Sequence, residues 1–286
     1  MRNGIMITQT DRDALAGHPL HAITPPGGPY RFGLFHHDRL TTKGIYREAK
    51  SVAKLAVRPR NDPRKFLIFC RPRSGSSLLN DLLNQVEGVL CAGEMLHYAV
   101  VAPVAYLDRC ARTLPGSAFG AKLLTYQMLE IQRVRDPLRL FQRFVSCGFS
   151  LIHLRRDTFD QTLSLATSFE TRDFQARPKP ERKPVPSFPL DRDAFLHMLR
   201  WNAATLDFED RLMSHFPHLT IEYETGLKRS DDHQATIDRV CDYIGISSSP
   251  VSAQRKRVSG GKPLVSNVEE LREAALSLRP DFAPTV

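Results

Sequence analysis

FLIFCRPRSGSSLLNDLLN, residues Phe66–Asn84, is the stretch from which the rest of the chain is read. The run Phe66–Cys70 is apolar, β-prone and short enough for a buried strand. Arg71–Ser77 is a tight, basic turn rich in hydroxyls, after which Leu78, Leu79, Leu82, Leu83 and Val86 recur at helical spacing. A strand, a small-residue loop and a helix together aim backbone N–H groups and a helix N-terminus at one point, which suits a phosphate. Gly75 lets the backbone come close to an anion, Ser74, Ser76 and Ser77 offer hydroxyl donors, and Arg73 offers a fixed positive charge. The loop is expected to cradle an anion; a plain capped helix start is the alternative. It is not the GxxxxGK[ST] loop of nucleoside triphosphates, because no second glycine and no lysine precede the serines.

Working outward, strands and helices alternate. A short strand is expected near Val89–Cys91, then a turn carrying Glu94 and His97. That turn falls just past a strand's carboxyl end, where open α/β sheets place their chemistry. Leu107–Leu114 reads as a helix, Phe119–Leu124 as a strand and Tyr126–Val134 as a helix. Cys147–Leu154 is a further buried strand running into Arg155-Arg156-Asp157, with a helix over Thr158–Phe169. This order predicts an α/β fold with a central parallel sheet flanked by helices on both faces. Ala194–Phe216 is a long helix, Leu219–Tyr223 a strand, and Thr236–Ile244 and Val268–Leu278 helices. Between them, residues 171–193 hold five prolines among Arg177, Lys179, Arg182 and Lys183, which no packed helix or strand accommodates.

Upstream, residues 1–30 are polar and read as a surface-draped leader, and 31–57 carry an apolar period (Ile45, Val52, Leu55, Ala56) that marks one amphipathic helix. Residues 1–62 are therefore expected to be an extension packed on a main domain of residues 63–286. A net charge of +9 suits an anionic partner such as a nucleotide, an acidic glycan, a nucleic acid or a membrane surface. No apolar run approaches the roughly 18–20 residues that span a bilayer, and no secretory h-region is seen. Five cysteines (Cys70, Cys91, Cys110, Cys147, Cys241) without metal-binding spacing suggest reduced thiols, hence a cytoplasmic location and no bound metal.

RPRSGSSLL after an apolar strand resembles the 5′-phosphosulfate loop of the sulfotransferases, which use 3′-phosphoadenosine-5′-phosphosulfate (PAPS) as sulfonate donor. LIHLRRDTFDQTLSLATS is similar to the segment in which that superfamily holds the donor's 3′-phosphate with an arginine at a strand end and a serine eight residues on, here Arg156 and Ser164. The basic stretch Arg255–Lys262 resembles its C-terminal lid, and IEYETGL at Ile221–Leu227 resembles, loosely, its Tyr-Glu-Asp-Leu segment, with Thr225 where the acid is usual. The motifs run in the expected order over about three quarters of the chain. Within the superfamily the cues resemble bacterial carbohydrate sulfotransferases of the nodulation-factor and trehalose type, and they imply a P-loop-like sheet.

The resemblance implies a set of roles. Arg73 to Leu78 hold the 5′-phosphate, with Arg73 also stabilising the bridging oxygen and sulfonate. Arg156 and Ser164 clamp the 3′-phosphate, and Arg257, Gly260, Gly261 and Lys262 close over it. Glu94 is the expected general base, with His97 competing for that role. Lys122 either lines the sulfonate site or forms a salt bridge, and Trp201 reads as core. The expected partners are the nucleotide donor and a carbohydrate, glycolipid or other hydroxyl acceptor, with no nucleic acid. Oligomeric state is open, a homodimer among the options. Two other functions fit the residues less well: a kinase with a degenerate phosphate loop, against which the missing glycine and lysine argue, and a non-catalytic polyanion-binding protein, which lacks an aromatic-rich or helix-turn-helix signature.

Overall fold

A computed structural model describes residues 7–23, 42–57, 61–172, 186–252 and 264–278. Five strands, β1 (Arg64–Cys70), β2 (Val89–Cys91), β3 (Ala118–Leu124), β4 (Phe149–Arg155) and β5 (His218–Glu222), form one sheet in the order β2-β3-β1-β4-β5. Every pairing is parallel, with Ile68 opposite Lys122 on one side and opposite Ile152 on the other. Parallel strands need crossovers, and the helices that supply them cover both faces, which is why β1 and β4 are buried almost throughout.

Helix α3 (Ser76–Leu83) leaves β1 on one face, where Leu79, Leu82 and Leu83 pack with Phe66, Ile68 and the helix α9 (His233–Ile244). Helix α6 (Thr158–Thr171) leaves β4 on the other, where Phe159, Leu165 and Ala166 pack with α7 (Arg192–Met213) and α10 (Val268–Leu278). The chain thus departs to opposite sides from adjacent strands. That opens a crevice at the carboxyl ends of β1 and β4, the place where a ligand fits an open α/β sheet.

Several elements depart from the sequence reading. The leader is not merely draped: helix α1 (Gln9–Ala16) starts with a capping box, Thr8 and Asp11 bonding each other's backbone N–H, and Leu15 and Leu20 are buried against the core. His18 anchors this segment to α7 through Asp207 at 2.9 Å and an edge-on contact with Phe208. The expected helix over Tyr126–Val134 is short: Thr125 and Tyr126 are α-helical and lead into a π-turn, Gln127–Ile131, closed by Gln132 N–H to the Gln127 carbonyl at 2.8 Å. Helix α2 (Thr42–Val57) forms where the apolar period placed it, packed on α4 (Pro103–Thr113), but Ile45 and Val52 point to solvent. No helix among the described residues is long and apolar enough to cross a membrane.

Candidate functional site

The loop after β1 is bent by two left-handed residues, Arg73 (φ 64°) and Gly75 (φ 93°). At Gly75 a side chain is excluded twice over, since a Cβ there would also lie 2.5 Å from the ring of Tyr223 at the end of β5. No side chain caps α3, and by position the Ser76 and Ser77 N–H groups at its start have no intrahelical acceptor. Ser74 is buried and its hydroxyl donates to the Arg71 carbonyl at 2.9 Å, so this side chain closes the loop from within. The Leu78 N–H donates to the Gly75 carbonyl at 2.9 Å, which uses that amide inside the turn. Of the predicted loop donors, Ser77 is the exposed hydroxyl, next to Ser76 at the helix start.

Arg73, Arg156 and Ser164 meet over the crevice. Arg73 Nε donates to Ser164 Oγ at 3.2 Å, and Arg156 Nη1 donates to the Arg73 carbonyl at 2.8 Å. The Arg156 guanidinium lies 4.4 Å above the Tyr223 ring, which orients it over the loop. Burial, then the positive charge of Arg156, push the Arg73 guanidinium below its ordinary pKa. Arg156 Nε is buried with no hydrogen-bond partner among the described residues. Two guanidinium groups brought to one loop against their own repulsion match a phosphate dianion in charge.

A second cluster sits on the α3 face. Phe119, Ala121 and Leu123 pack on one side of the sheet and Ala118 and Leu124 on the other, so strand alternation puts Lys122 on the side of α3. Its Nζ reaches Ser77 Oγ at 3.4 Å and Glu94 Oε1 at 3.3 Å. The Lys122 N–H donates to the Gly93 carbonyl at 2.8 Å, which pins the turn that carries Glu94. Gln127, on the π-turn, donates to Glu94 Oε2 at 2.8 Å and to the Tyr126 hydroxyl at 3.3 Å. Burial, then the charge of Glu94, raise the Tyr126 hydroxyl, and burial lifts the Glu130 carboxyl on the same turn to about 7. Of the two readings of Lys122, the salt bridge to Glu94 is present, and the same side chain lies beside the loop helix. Glu94 is thus tied to Lys122, whereas His97 packs edge-on against Tyr98 at 5.3 Å. The cation beside Ser77 is Lys122; the Arg73 side chain turns toward Ser164 instead.

Beneath both clusters lies a charge network that sequence reasoning missed. Arg71 is fully buried, donating to the carbonyls of Arg156 (2.9 Å) and Asn202 (3.1 Å), with Nε 3.8 Å from the Glu209 carboxylate of α7. Glu209, also fully buried, accepts from Thr125 and lies 3.3 Å from His153 Nε2. Arg71 therefore ties the end of β1 to the end of β4, which fixes the spacing between the loop of Arg73 and Arg156. Trp201 is buried in the core, as expected. Burial pushes the Cys70 thiol under the loop up to about 12, and it is inert at neutral pH. The lid residues Arg257, Gly260, Gly261 and Lys262 lie outside the described residues, as do 173–185 of the proline-rich segment. Their flanks are joined: Phe188 pairs with Val265, and Asn267 bonds both backbone groups of Leu190.

Neither a family model nor a curated protein matches this chain. Among solved structures, a sulfotransferase from Alicyclobacillus acidocaldarius is similar at a TM-score of 0.50 and 14% identity, covering 77% of this chain and 93% of that one. A mouse sulfotransferase, SULT7A1 complexed with PAP, is similar at a TM-score of 0.39 and 14% identity over 71% of this chain and 67% of that one. At such identity the first likeness speaks to the fold, a P-loop-like parallel sheet with helices around it.

Proposed function

We propose that this chain is a sulfotransferase that moves a sulfonate group from PAPS to a hydroxyl of a carbohydrate or glycolipid acceptor in the cytoplasm. The observation that carries the reading is the meeting of Arg73, Arg156 and Ser164 beside a loop whose other flank holds the Lys122–Glu94 pair. A donor with two phosphate groups and a sulfonate needs two cationic anchors a short way apart and a proton acceptor next to one of them. The donor would supply the activated sulfonate; the chain's residues hold and orient it. The backbone of Gly75–Ser77 takes the 5′-phosphate, and Arg156, Ser164 and Arg73 take the 3′-phosphate. Lys122 meets negative charge that develops on the sulfonyl and bridging oxygens. Glu94, held at one oxygen by Lys122 and at the other by Gln127, accepts the acceptor hydroxyl's proton as it attacks in line. None of these roles uses a metal.

The reading is tested by incubating the chain with sulfur-35-labelled PAPS and a panel of sugars and glycolipids, with and without EDTA. Label is expected to pass to an acceptor at the same rate in both. Transfer of the γ-phosphate of ATP that EDTA abolishes would replace the reading with the kinase.

A further inference from the structure

Helix α2 wears its faces the wrong way round for a helix of a water-soluble domain. Residues spaced four, seven and eleven apart share one side of a helix. The row Gly44, Glu48, Ser51, Leu55 lies on α4, where, Leu55 apart, small and polar groups make the contact. Gly44 and Ser51 are buried, Glu48 accepts from the Val101 and Ala102 N–H groups at 2.7 and 3.2 Å, and Arg109 Nε donates to Ser51 at 2.9 Å. The apolar rows face outward instead. Ile45 is 51% exposed, Tyr46 64%, Val52 53% and Val57 81%, and Val101, bonded to Glu48, is 73% exposed. Among the described residues only one other large apolar side chain, Leu276, is comparably exposed, so the exposure is concentrated here. Along the far border of this face runs a third row, Lys43, Arg47, Lys50 and Lys54, all cations.

An amphipathic helix of a soluble domain buries its apolar side, and a continuous exposed apolar face marks a surface that something covers. We propose that the outward face of α2 docks on an anionic lipid surface, its apolar rows entering the headgroup–acyl boundary and its basic row meeting lipid phosphates. Apolar rows bordered by lysine and arginine are the pattern of a helix lying in a membrane interface. A second copy of the chain is the poorer occupant, because a two-fold contact sets the same four cations against themselves. The net charge of +9 favours the same partner. The face adjoins the candidate site: Arg47 lies 4.6 Å and Lys43 5.8 Å above the ring of Tyr98, four residues beyond Glu94. Docking would offer a lipid-linked hydroxyl to the Glu94 side of the loop. That step rests on the sulfonate-transfer reading; the docking itself does not.

The test is co-sedimentation of the full chain with phosphatidylcholine vesicles, with and without phosphatidylglycerol, at low and high salt. The wild type should bind the phosphatidylglycerol vesicles, release at high salt and bind pure phosphatidylcholine weakly. At roughly fivefold per charge near the surface, Lys50→Glu/Lys54→Glu should weaken partitioning at least tenfold. Val52→Asp should weaken it without changing net basicity much, and both variants should bind adenosine 3′,5′-bisphosphate as the wild type does. No vesicle binding, or variants that bind equally well, would overturn the proposal. So would a dimer that Val52→Asp disperses, since that assigns the face to a second copy.

Discussion

Glu94→Gln is expected to lower turnover by about 10²–10⁴-fold while leaving donor affinity within about twofold of the wild type. Glutamine keeps the shape of the side chain, and its single amide oxygen can still accept from Lys122 at the expense of the bond from Gln127, so the turn and the loop beside it should move little. What is lost is the negative charge that takes the proton. Steady-state kinetics with donor titration separate the two quantities: a fall in kcat with KM for the donor unchanged marks a group acting only in the transition state. Lys122→Met provides the contrast, because it removes the cation beside Ser77. Turnover of Glu94→Gln at the wild-type rate would remove Glu94 as base and move attention to His97.

Arg71→Met is expected to cost about 3–5 kcal/mol of stability, because it leaves the Glu209 carboxylate buried without its guanidinium. Burial weighs most against the Arg71 charge, with the Arg155 cation adding to it, and Glu209 is the main group that offsets them. At about 2–4 °C per kcal/mol for a domain of this size, the melting temperature should fall by roughly 10 °C. The double variant Arg71→Met/Glu209→Leu should recover part of that loss, since it removes both charges together. Thermal unfolding followed by circular dichroism reads both. A fall of only a degree or two in the single variant would mean that the buried pair holds nothing.

The contrast between these two residues shows what the sequence could reveal. Glu94 could be singled out because it lies next to a glycine after a strand, a feature of local order along the chain. Arg71 sits two residues before Arg73 in the same basic turn, and nothing local tells a ligand-facing arginine from a buried one. Its partner, Glu209, lies 138 positions further on, near the C-terminal end of a long helix. Pairings of that range come from the fold, not from a pattern. The strands were readable because buried parallel strands are short apolar runs with clear ends, and the alternation with helices gave the parallel sheet; the strand order was not written in any of them.

Other misses have their own causes. The capping box at Thr8–Asp11 was a local signal for α1 that the polar composition of the leader obscured. The period of α2 established a helix but not which row would lie inward, because small and polar residues packed where leucines normally would. The Arg156–Ser164 spacing was seen, but the insertion of Arg73 between them was not. A left-handed φ at a loop arginine decides where that side chain points, and sequence alone does not display it.

Calorimetric titration of adenosine 3′,5′-bisphosphate against ATP, on the wild type and on Arg156→Ala, tests the central claim most directly. The wild type should prefer the bisphosphate by at least about tenfold, and Arg156→Ala, which loses a charge-assisted clamp worth about 1.5–3 kcal/mol, should bind it no better than ATP. Equal affinity for the two nucleotides in the wild type, unchanged in the variant, would contradict the proposal that Arg156, Ser164 and Arg73 form a 3′-phosphate site.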